Sequence, residues 1–292
     1  MKGFIVYSTS KVVGEKSYVL LYGRLENGQN FLTINQYDPY FYIQQTDLAR
    51  AQKLTTFKHE KTTFTNFIGK KVVKIIVTAS EVSTLRTLFE EEHIVCYEAD
   101  IKYIYRYFID HDLKGSIEIE GEYSLEESID RVYKEPEITP VQFIPLLKML
   151  SLDIETSLDG KQLYCISLYG KNLQKVLIIS DKKLQHAQSF TTEEDLLEQF
   201  CKEVLDYDPD IITGWNVIDF DFNFLAKKFK EHELPFILGR DQHPCKVRVE
   251  HHFFKSSSVD IVGRQVLDGL NLVQASFVNL PVSFIVNQSS FP

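Results

Sequence analysis

The chain has 292 residues, of which 44% are hydrophobic and 25% charged, with a formal net charge of −9. This length is enough for two domains, and the ordinary globular composition argues against general disorder. The acidic balance argues mildly against binding nucleic acid by bulk attraction, although a local basic channel would still be compatible with it. The 21 Phe and 15 Tyr fall mainly in strand-like runs, which favours mixed or β-rich domains over helical bundles.

The cysteines indicate a reducing environment. Cys96, Cys165, Cys201 and Cys245 are far apart and form no C-x-x-C pair, so we expect reduced thiols and a cytoplasmic protein rather than a disulfide framework. The amino-terminal segment lacks the apolar core of a signal peptide. No apolar run approaches the roughly 18 residues that a membrane helix needs, so no membrane association is expected.

The first third of the chain is predicted to be rich in strands. Runs of Val, Ile, Leu, Tyr and Phe between polar or glycine-containing turns occupy 3–8, 17–25, 29–34, 38–43, 72–77 and 94–97. Ser80 begins a helical pattern that continues to Phe89. Asp100 is expected to cap a second helix that runs to Phe108.

A proline-rich stretch then interrupts the pattern. Residues 134–145 contain Pro136, Pro140 and Pro145, and proline removes backbone donors and biases the preceding residue to extended geometry. This is the best candidate linker. We therefore predict an amino-terminal α+β domain over 1–140 and a second domain over 141–292.

The second half has the pattern of an α/β domain. Strands are predicted at 148–154, 163–168, 176–179 and 210–213. A capping-box sequence at Thr191 and Thr192 precedes an amphipathic helix, and 219–231 forms another helical pattern. This order suggests an α/β fold with a mixed sheet.

Two acids stand at the end of the first strand of this domain. Side chains alternate along a strand, so Asp153 and Glu155 should point to the same side of it. Unpaired carboxylates are costly to bury. A divalent cation would offset that cost, because hard cations prefer oxygen ligands.

A second acidic segment follows a short strand at 210–213. Gly214 makes the turn, and Asp219 or Asp221 then lies near a helix start, where exposed amides favour anions. Strand ends of this kind are common ligand sites in α/β sheets. The sequence thus offers two acidic segments that one site could combine.

These segments resemble the exonuclease motifs of family B DNA polymerases. Asp153-Ile154-Glu155 resembles the first motif, D-x-E, and 216–221 resembles the second, N-x-x-x-F-D. The stretch YDPDIITGWNVIDFD is particularly similar to that of the bacterial DNA polymerase II group. Residues 97–110 resemble the end of the polymerase amino-terminal region, and 263–270 resemble the strand and helix start that follow the second motif.

The resemblance implies an RNase H-like 3′→5′ exonuclease domain behind a polymerase amino-terminal domain. Its catalytic and metal-binding residues would be Asp153, Glu155 and Asp221, holding two Mg²⁺ or Mn²⁺ ions about 3.5–4 Å apart. Asn216 and Phe220, with Thr156, resemble residues that position a frayed primer end. Phe220 is equally compatible with a core role, and Trp215 is expected in the core.

The resemblance also sets the expected partners. These are DNA, as a single-stranded primer 3′ end, and the remaining polymerase domains of a longer protein that acts in DNA replication and repair. We expect a monomer. The third exonuclease motif, Y-x-x-x-D, and the polymerase motifs S-L-Y-P-S and D-T-D are not found. We therefore expect a truncated product that binds metal weakly, cleaves DNA poorly and does not polymerise.

Other polar residues are expected to have ordinary roles. Asp159 and Asp219 are predicted to be solvated turn or cap acids, and Asp268 to start a helix. The histidines and cysteine at 243–252 match no common zinc spacing, so an exposed loop is expected there. Lys228 is expected on a solvated helix face, and for Arg240 a solvated role and a DNA contact both stay open.

Two other functions remain open. One is a self-contained DEDD-type exonuclease acting on DNA or RNA, although the long polymerase-like preface counts against it. The other is a non-catalytic nucleic-acid-binding module. Metal-dependent nuclease activity would separate that module from both enzyme hypotheses.

Overall fold

The computed structural model describes residues 1–250 and 257–275. The chain divides into two compact units, Met1–Pro145 and Leu146–Pro292. Among the residues that the structure describes, no helix is both long and apolar enough to span a membrane. The described cysteines are all free thiols.

The first unit is rich in strands. In chain order its elements are β1 (Lys2–Val13), β2 (Lys16–Leu25), β3 (Asn30–Gln36), β4 (Tyr40–Gln44), a 3-10 turn (Gln45–Asp47), α1 (Leu48–Leu54), β5 (Lys58–Thr65), β6 (Lys71–Ile76), α2 (Val82–Glu91), β7 (Cys96–Tyr97), α3 (Tyr103–Asp110), β8 (Ser116–Glu120), β9 (Tyr123–Glu126), β10 (Ile129–Lys134) and β11 (Glu137–Pro140). They form a seven-stranded sheet in the order β11-β8-β1-β2-β3-β10-β9 and a four-stranded sheet in the order β5-β6-β4-β7.

Each sheet of this unit has its own core. Val19 and Leu21 of β2 and Phe31 of β3 are fully buried in the core of the larger sheet. Tyr107 of α3 belongs to the same core. In the four-stranded sheet, Phe41 and Ile75 pack against Phe89 of α2. Buried and half-buried residues alternate along β4, as expected for a sheet that packs against helices on one side only.

Three features of this unit differ from the expectations. Strands β5 and β8 to β11 were not predicted: the sequences of β5 and β11 lack a clear apolar alternation, whereas β8 does alternate isoleucine with polar residues and its pattern was missed. Part of the predicted linker forms β11, which pairs with β8 at the edge of the sheet, where proline is tolerated. Asp100 does not cap a helix, since α3 begins at Tyr103 with Lys102 as the preceding residue.

The second unit contains a mixed six-stranded sheet. Its elements are β12 (Met149–Thr156), β13 (Leu163–Gly170), β14 (Leu173–Ile179), β15 (Gln188–Phe190), α4 (Glu193–Tyr207), β16 (Ile211–Gly214), a π-helical turn (Ile218–Phe222), α5 (Asn223–Glu231), β17 (Lys246–Arg248), β18 (Ser258–Asp260), β19 (Gln265–Asp268) and α6 (Gly269–Ala275). The order is β15-β14-β13-β12-β16-β19. β12 is antiparallel to β13 and parallel to β16, which is parallel to β19.

The predicted capping of α4 is confirmed. The Thr192 side chain accepts a hydrogen bond from the Asp195 amide, at 3.2 Å. Leu196, Phe200 and Val204 of α4 are buried in the same hydrophobic core as the inner side chains of β12. The predicted mixed α/β architecture, preceded by a strand-rich α+β unit, is confirmed.

Candidate active site

Strand β12 presents its two acids on one face. Leu150, Leu152 and Ile154 are buried, whereas Asp153 and Glu155 are exposed on the opposite side. This is the alternation that the sequence predicted. β12 pairs with β13 along most of its length, but its pairing with β16 covers only Met149 to Ser151. Beyond Ser151, no strand among the described residues pairs with this edge of β12.

Asp221 takes the place of a neighbouring strand at this edge. Its Oδ1 accepts a hydrogen bond from the backbone amide of Ile154, at 3.0 Å. The amide lies between Asp153 and Glu155 in the sequence, so the bond fixes Asp221 beside the acidic segment of β12. A buried backbone donor needs such an acceptor, because leaving it unpaired is costly.

The turn after β16 allows this approach. A Cβ atom on Gly214 would lie only 2.4 Å from the backbone oxygen of Leu152, so no larger residue fits without a shift. Asn216 follows in a left-handed conformation with φ of 56°, which asparagine tolerates better than most residues. The amide of Phe220 bonds to the Asn216 carbonyl at 3.0 Å. The π-helical turn that follows buries Asp221 and leaves Asp219 and Phe220 exposed.

The site concentrates negative charge. Asp221 is only 1% exposed, and burial raises its pKa to about 7, with further contributions from the charges of Asp153 and, more weakly, Asp268. Although Asp153 is on the exposed side of β12, partial desolvation of its carboxyl group also raises its pKa. Within residues 1–250 and 257–275, no salt bridge joins Asp153, Glu155 or Asp221 to a basic side chain. Like charges held together without a basic partner are a typical feature of functional sites.

The carboxylate oxygens of this site are suitable ligands for a divalent cation. The structure brings two of the three predicted acids close together. Asp153 and Asp221 lie close enough for the charge of one to raise the pKa of the other. Glu155 shares the exposed face of β12 with Asp153. In the described part of the chain, however, no group of three His, Cys, Asp or Glu residues is arranged to hold a metal ion. The described residues therefore provide an acidic pair with a third acid nearby on the same strand.

Asp268 has a second structural role besides the predicted helix start. Its Oδ1 accepts from the amides of Leu270 and Asn271, at 2.9 and 3.3 Å, and so caps α6 as predicted. Its Oδ2 also accepts from the amide of Ile218, at 3.0 Å. This bond ties the turn that carries Asp221 to the end of β19. The only sequence signal for this role is an acid at a strand end directly before Gly269.

The residues predicted to bind substrate lie at the end of β12 and in the turn between β16 and Asp221. Phe220 is 45% exposed, so of its two predicted roles the structure does not support the core role. Trp215 was expected in the core but is 39% exposed, because it follows the strand end directly. Asn216 is half-buried, and Thr156 ends β12, where its hydroxyl donates to the Ser157 carbonyl at 3.3 Å.

Several residues with ordinary predicted roles have different surroundings. Asp159 is an exposed turn acid, as predicted, and hydrogen bonds from Ser157 and Lys161 lower its pKa. Lys228 is not on a solvated face: it is buried and pairs with Glu193 at 2.9 Å and Glu231 at 3.1 Å.

The basic and cysteine residues after α5 also differ from expectation. Arg240 is buried and bonds to Asp208 and Asp210, which ends its candidacy as a DNA contact. His243 lies in an exposed loop, as predicted, whereas Cys245 in the same loop is partly buried against the core. His251 and His252 lie outside the described residues.

Comparison with known proteins identifies the family. A sequence profile described as "DNA polymerase family B, exonuclease domain" matches residues 94–284. The chain belongs to DNA polymerase family B. The match includes Asp153, Glu155 and Asp221, so both acidic segments of the site lie within the matched family region.

Relatives in family B extend beyond this chain. DNA polymerase II of Escherichia coli (strain K12) is 26% identical over 294 residues, which cover 95% of this chain and 36% of the relative. The DNA polymerase of Archaeoglobus fulgidus is 29% identical over 258 residues, 82% of this chain and 32% of the relative. The chain thus spans about a third of the length of these relatives.

A solved structure shows the same fold. The family B DNA polymerase from Pyrobaculum calidifontis superposes with a TM-score of 0.75 over 94% of this chain and 37% of that protein, at 22% identity. The similarity includes most of both units, which agrees with the predicted strand-rich first part and mixed-sheet second part.

Proposed function

We propose that the second unit is the 3′→5′ proofreading exonuclease of a DNA polymerase, hydrolysing the terminal phosphodiester of a single DNA strand. The observation that carries the proposal is the buried Asp221 carboxylate, bonded to the Ile154 amide beside Asp153. Its position inside the matched exonuclease region supports the assignment. In domain terms, 1–140 would be the polymerase amino-terminal domain and 141–292 the exonuclease domain.

The acids would hold divalent cations. Asp153, Glu155 and Asp221 would be the ligands, with the Ile154 amide holding the Asp221 carboxylate in place. Bound Mg²⁺ or Mn²⁺ would supply activation of a water molecule and charge stabilisation at the leaving 3′ oxygen. Glu155, exposed beside the pair, would orient the attacking water by accepting a hydrogen bond from it.

The neighbouring side chains would position the DNA strand. The exposed Phe220 ring could stack on a terminal base, an interaction worth about 1–3 kcal/mol. Asn216 and Thr156 would contact the same end of the strand through their polar groups. Stacking recognises any base, as removal of an arbitrary mismatched nucleotide requires.

The longer protein would use this activity during DNA synthesis. Its partners would be the single-stranded primer 3′ end and the remaining polymerase domains, and its role would be in DNA replication and repair. The proposal includes a monomeric protein, and a location in the cytoplasm, with which the free thiols of the described cysteines agree.

A single-turnover nuclease assay tests the proposal. A 5′-labelled single strand is incubated with this chain and Mn²⁺, and the products are resolved by length. We expect slow shortening from the 3′ end that Asp153→Asn and Asp221→Asn abolish. Asp159→Asn, which alters an exposed acid in the turn that follows β12, is the matched control and should retain activity.

Two results would contradict this assignment. Shortening that survives both Asp153→Asn and Asp221→Asn would place the chemistry elsewhere. A chain that binds the strand in Mn²⁺ but leaves it intact would be a non-catalytic nucleic-acid-binding module.

A further inference from the structure

The smaller sheet of the first unit has one face that helices α1 and α2 leave uncovered, here called the open face; Arg106 and Asp110 of α3 contact it at Tyr40. Helices α1 and α2 cover the side of the sheet that carries Phe41, Ile43 and Ile75. The alternate residues of β4 and β6 point the other way. Among these, Tyr42 lies opposite Lys74 of β6 and Tyr97 of β7. This open face lies in a different unit from the acids of the candidate active site.

Aromatic rings form a connected strip on this face. The ring centroids of Tyr40 and Tyr42 are 5.5 Å apart, and those of Tyr42 and Phe64 are 6.2 Å apart. Tyr40 is already engaged, because Lys74 and Arg106 lie over its ring at 4.3 and 4.7 Å. The half-buried Tyr42 and the exposed Phe64 remain as the rings that a ligand could contact.

Amide side chains hold the edge of the strip in place. The Tyr97 hydroxyl accepts hydrogen bonds from Gln44 at 2.9 Å and from Asn66 at 3.0 Å. Asn66 belongs to the turn between β5 and β6, so the turn is fixed against the open face. A surface that is already ordered loses little conformational entropy when a ligand binds.

The tip of the β5–β6 hairpin displays two apolar side chains. Phe67 is fully exposed, at 108%, and Ile68 is 72% exposed. The turn that carries them is well bonded: Asn66 Oδ1 accepts from the amides of Ile68 and Lys70, at 3.2 and 3.0 Å. A fixed turn that holds an aromatic and an aliphatic residue in solvent indicates an interaction surface.

The same hairpin is basic in an acidic chain. Residues 58–74 contain five lysines and one glutamate, a difference of +4, whereas the whole chain has a net charge of −9. The glutamate, Glu60, pairs with Lys74 at 3.3 Å. The other lysines, which the described ranges 1–250 and 257–275 show exposed and without a salt bridge, are Lys58, Lys61, Lys70 and Lys71.

We propose that this surface binds single-stranded DNA. The hairpin surface consists of Tyr42, Phe64, Phe67, Ile68, Lys58, Lys70 and Lys71. Lysines neutralise phosphates, and exposed rings stack on bases, which together are the two features of single-strand binding. Unpaired bases are required because paired bases are already stacked within a duplex. Membership in a DNA polymerase family makes DNA the strand that the chain would meet.

A binding assay without divalent ions tests the proposal. Anisotropy of a short fluorescent oligothymidine is measured in EDTA, so that metal-dependent cleavage has no part in the result. Phe67→Ser combined with Ile68→Ser should weaken binding roughly 5- to 150-fold, which corresponds to one stacked base at about 1–3 kcal/mol. The β1–β2 hairpin is the matched control, because Val12→Ser with Val13→Ser removes exposed apolar side chains at another turn and should leave affinity unchanged.

The salt dependence tests the lysines separately. Each phosphate contact contributes about −0.7 to the slope of log affinity against log salt concentration for a single strand. Lys70→Gln with Lys71→Gln should therefore make the slope shallower by about 1.4. Lys11→Gln with Lys16→Gln removes the same charge from the control hairpin and should leave the slope unchanged.

The outcomes separate this proposal from the exonuclease assignment. Loss of affinity in EDTA for the Phe67/Ile68 variant reports on the hairpin surface, whereas loss of cleavage in Mn²⁺ for the Asp153 variant reports on the acids of the second unit. Unchanged affinity in the Phe67/Ile68 variant, or equal losses in both hairpins, would overturn the hairpin surface as the binding site. Tighter binding of oligouridine than of oligothymidine would overturn DNA as its ligand. Matching thermal unfolding curves would show that the variants are folded.

Discussion

Replacing Asp221 by asparagine should stabilise the metal-free protein. The Asp221 carboxylate is buried and lies near the charges of Asp153 and Asp268, which together raise its pKa from 3.8 to about 7. Ionising it in the folded state is therefore unfavourable. Asparagine keeps an oxygen that can accept from the Ile154 amide, and it removes the charge.

The size of the effect follows from the pKa. One pKa unit corresponds to about 1.36 kcal/mol, so a rise of about three units sets an upper limit of about 4 kcal/mol. At about pH 8 both the folded and unfolded states are ionised, and the folded state carries the full penalty. As the pH falls through the folded pKa of about 7 towards 3.8, the folded state takes up a proton first and the penalty shrinks.

Denaturant unfolding in EDTA measures this directly. The chain has a single Trp, Trp215, which lies in the second unit, so its fluorescence follows the unit that carries the mutation. We expect Asp221→Asn to be more stable than the natural sequence at about pH 8, with the gain decreasing towards about pH 4. Asp159→Asn, in an exposed turn, should show no such gain. A less stable Asp221→Asn variant at about pH 8 would refute the reasoning.

Three further predictions concern the structure around the site. Gly214→Ala places a Cβ atom 2.4 Å from a backbone oxygen of β12 and should cost about 1–3 kcal/mol in denaturant unfolding; an unchanged midpoint would show that the turn adapts. Arg240→Met removes a charged partner of the fully buried Asp210 and should cost about 3–5 kcal/mol in the same assay, whereas a cost typical of a surface residue would contradict the buried network. His232 bonds two glutamates that raise its pKa above 6.5, so its stabilising contribution should be present below about pH 6.5 and lost as the pH rises through the folded pKa; a His232→Gln effect that does not vary with pH would contradict this.

The acidic motifs were predictable because they follow simple periodicity. The apolar residues of β12 alternate with its acids, so the common face of Asp153 and Glu155 follows from the sequence alone. The family resemblance added Asp221. Neither approach could show that Asp221 bonds to the Ile154 amide, because that contact depends on where β16 stops relative to β12.

Buried charges were the main failure of the sequence reasoning. Lys228 was predicted on a solvated helix face, and Arg240 was predicted to be either solvated or in contact with DNA. Each is instead buried and paired with acids from other parts of the fold. Long-range ion pairs leave no local pattern in a single sequence. The edge strands β9 and β11 were missed for a related reason, since the burial of an edge strand depends on its partner rather than on its own alternation.

Cation-dependent stabilisation is the most direct test of the acidic pair as an ion site. Unfolding midpoints are measured with and without Mn²⁺ for the natural sequence, Asp153→Asn, Asp221→Asn and the control Asp159→Asn. A ligand that binds only the folded state raises its stability in proportion to the logarithm of ligand concentration over the dissociation constant. The account predicts that Mn²⁺ stabilises the natural sequence and the control but neither site variant. Equal stabilisation of all four proteins would contradict it.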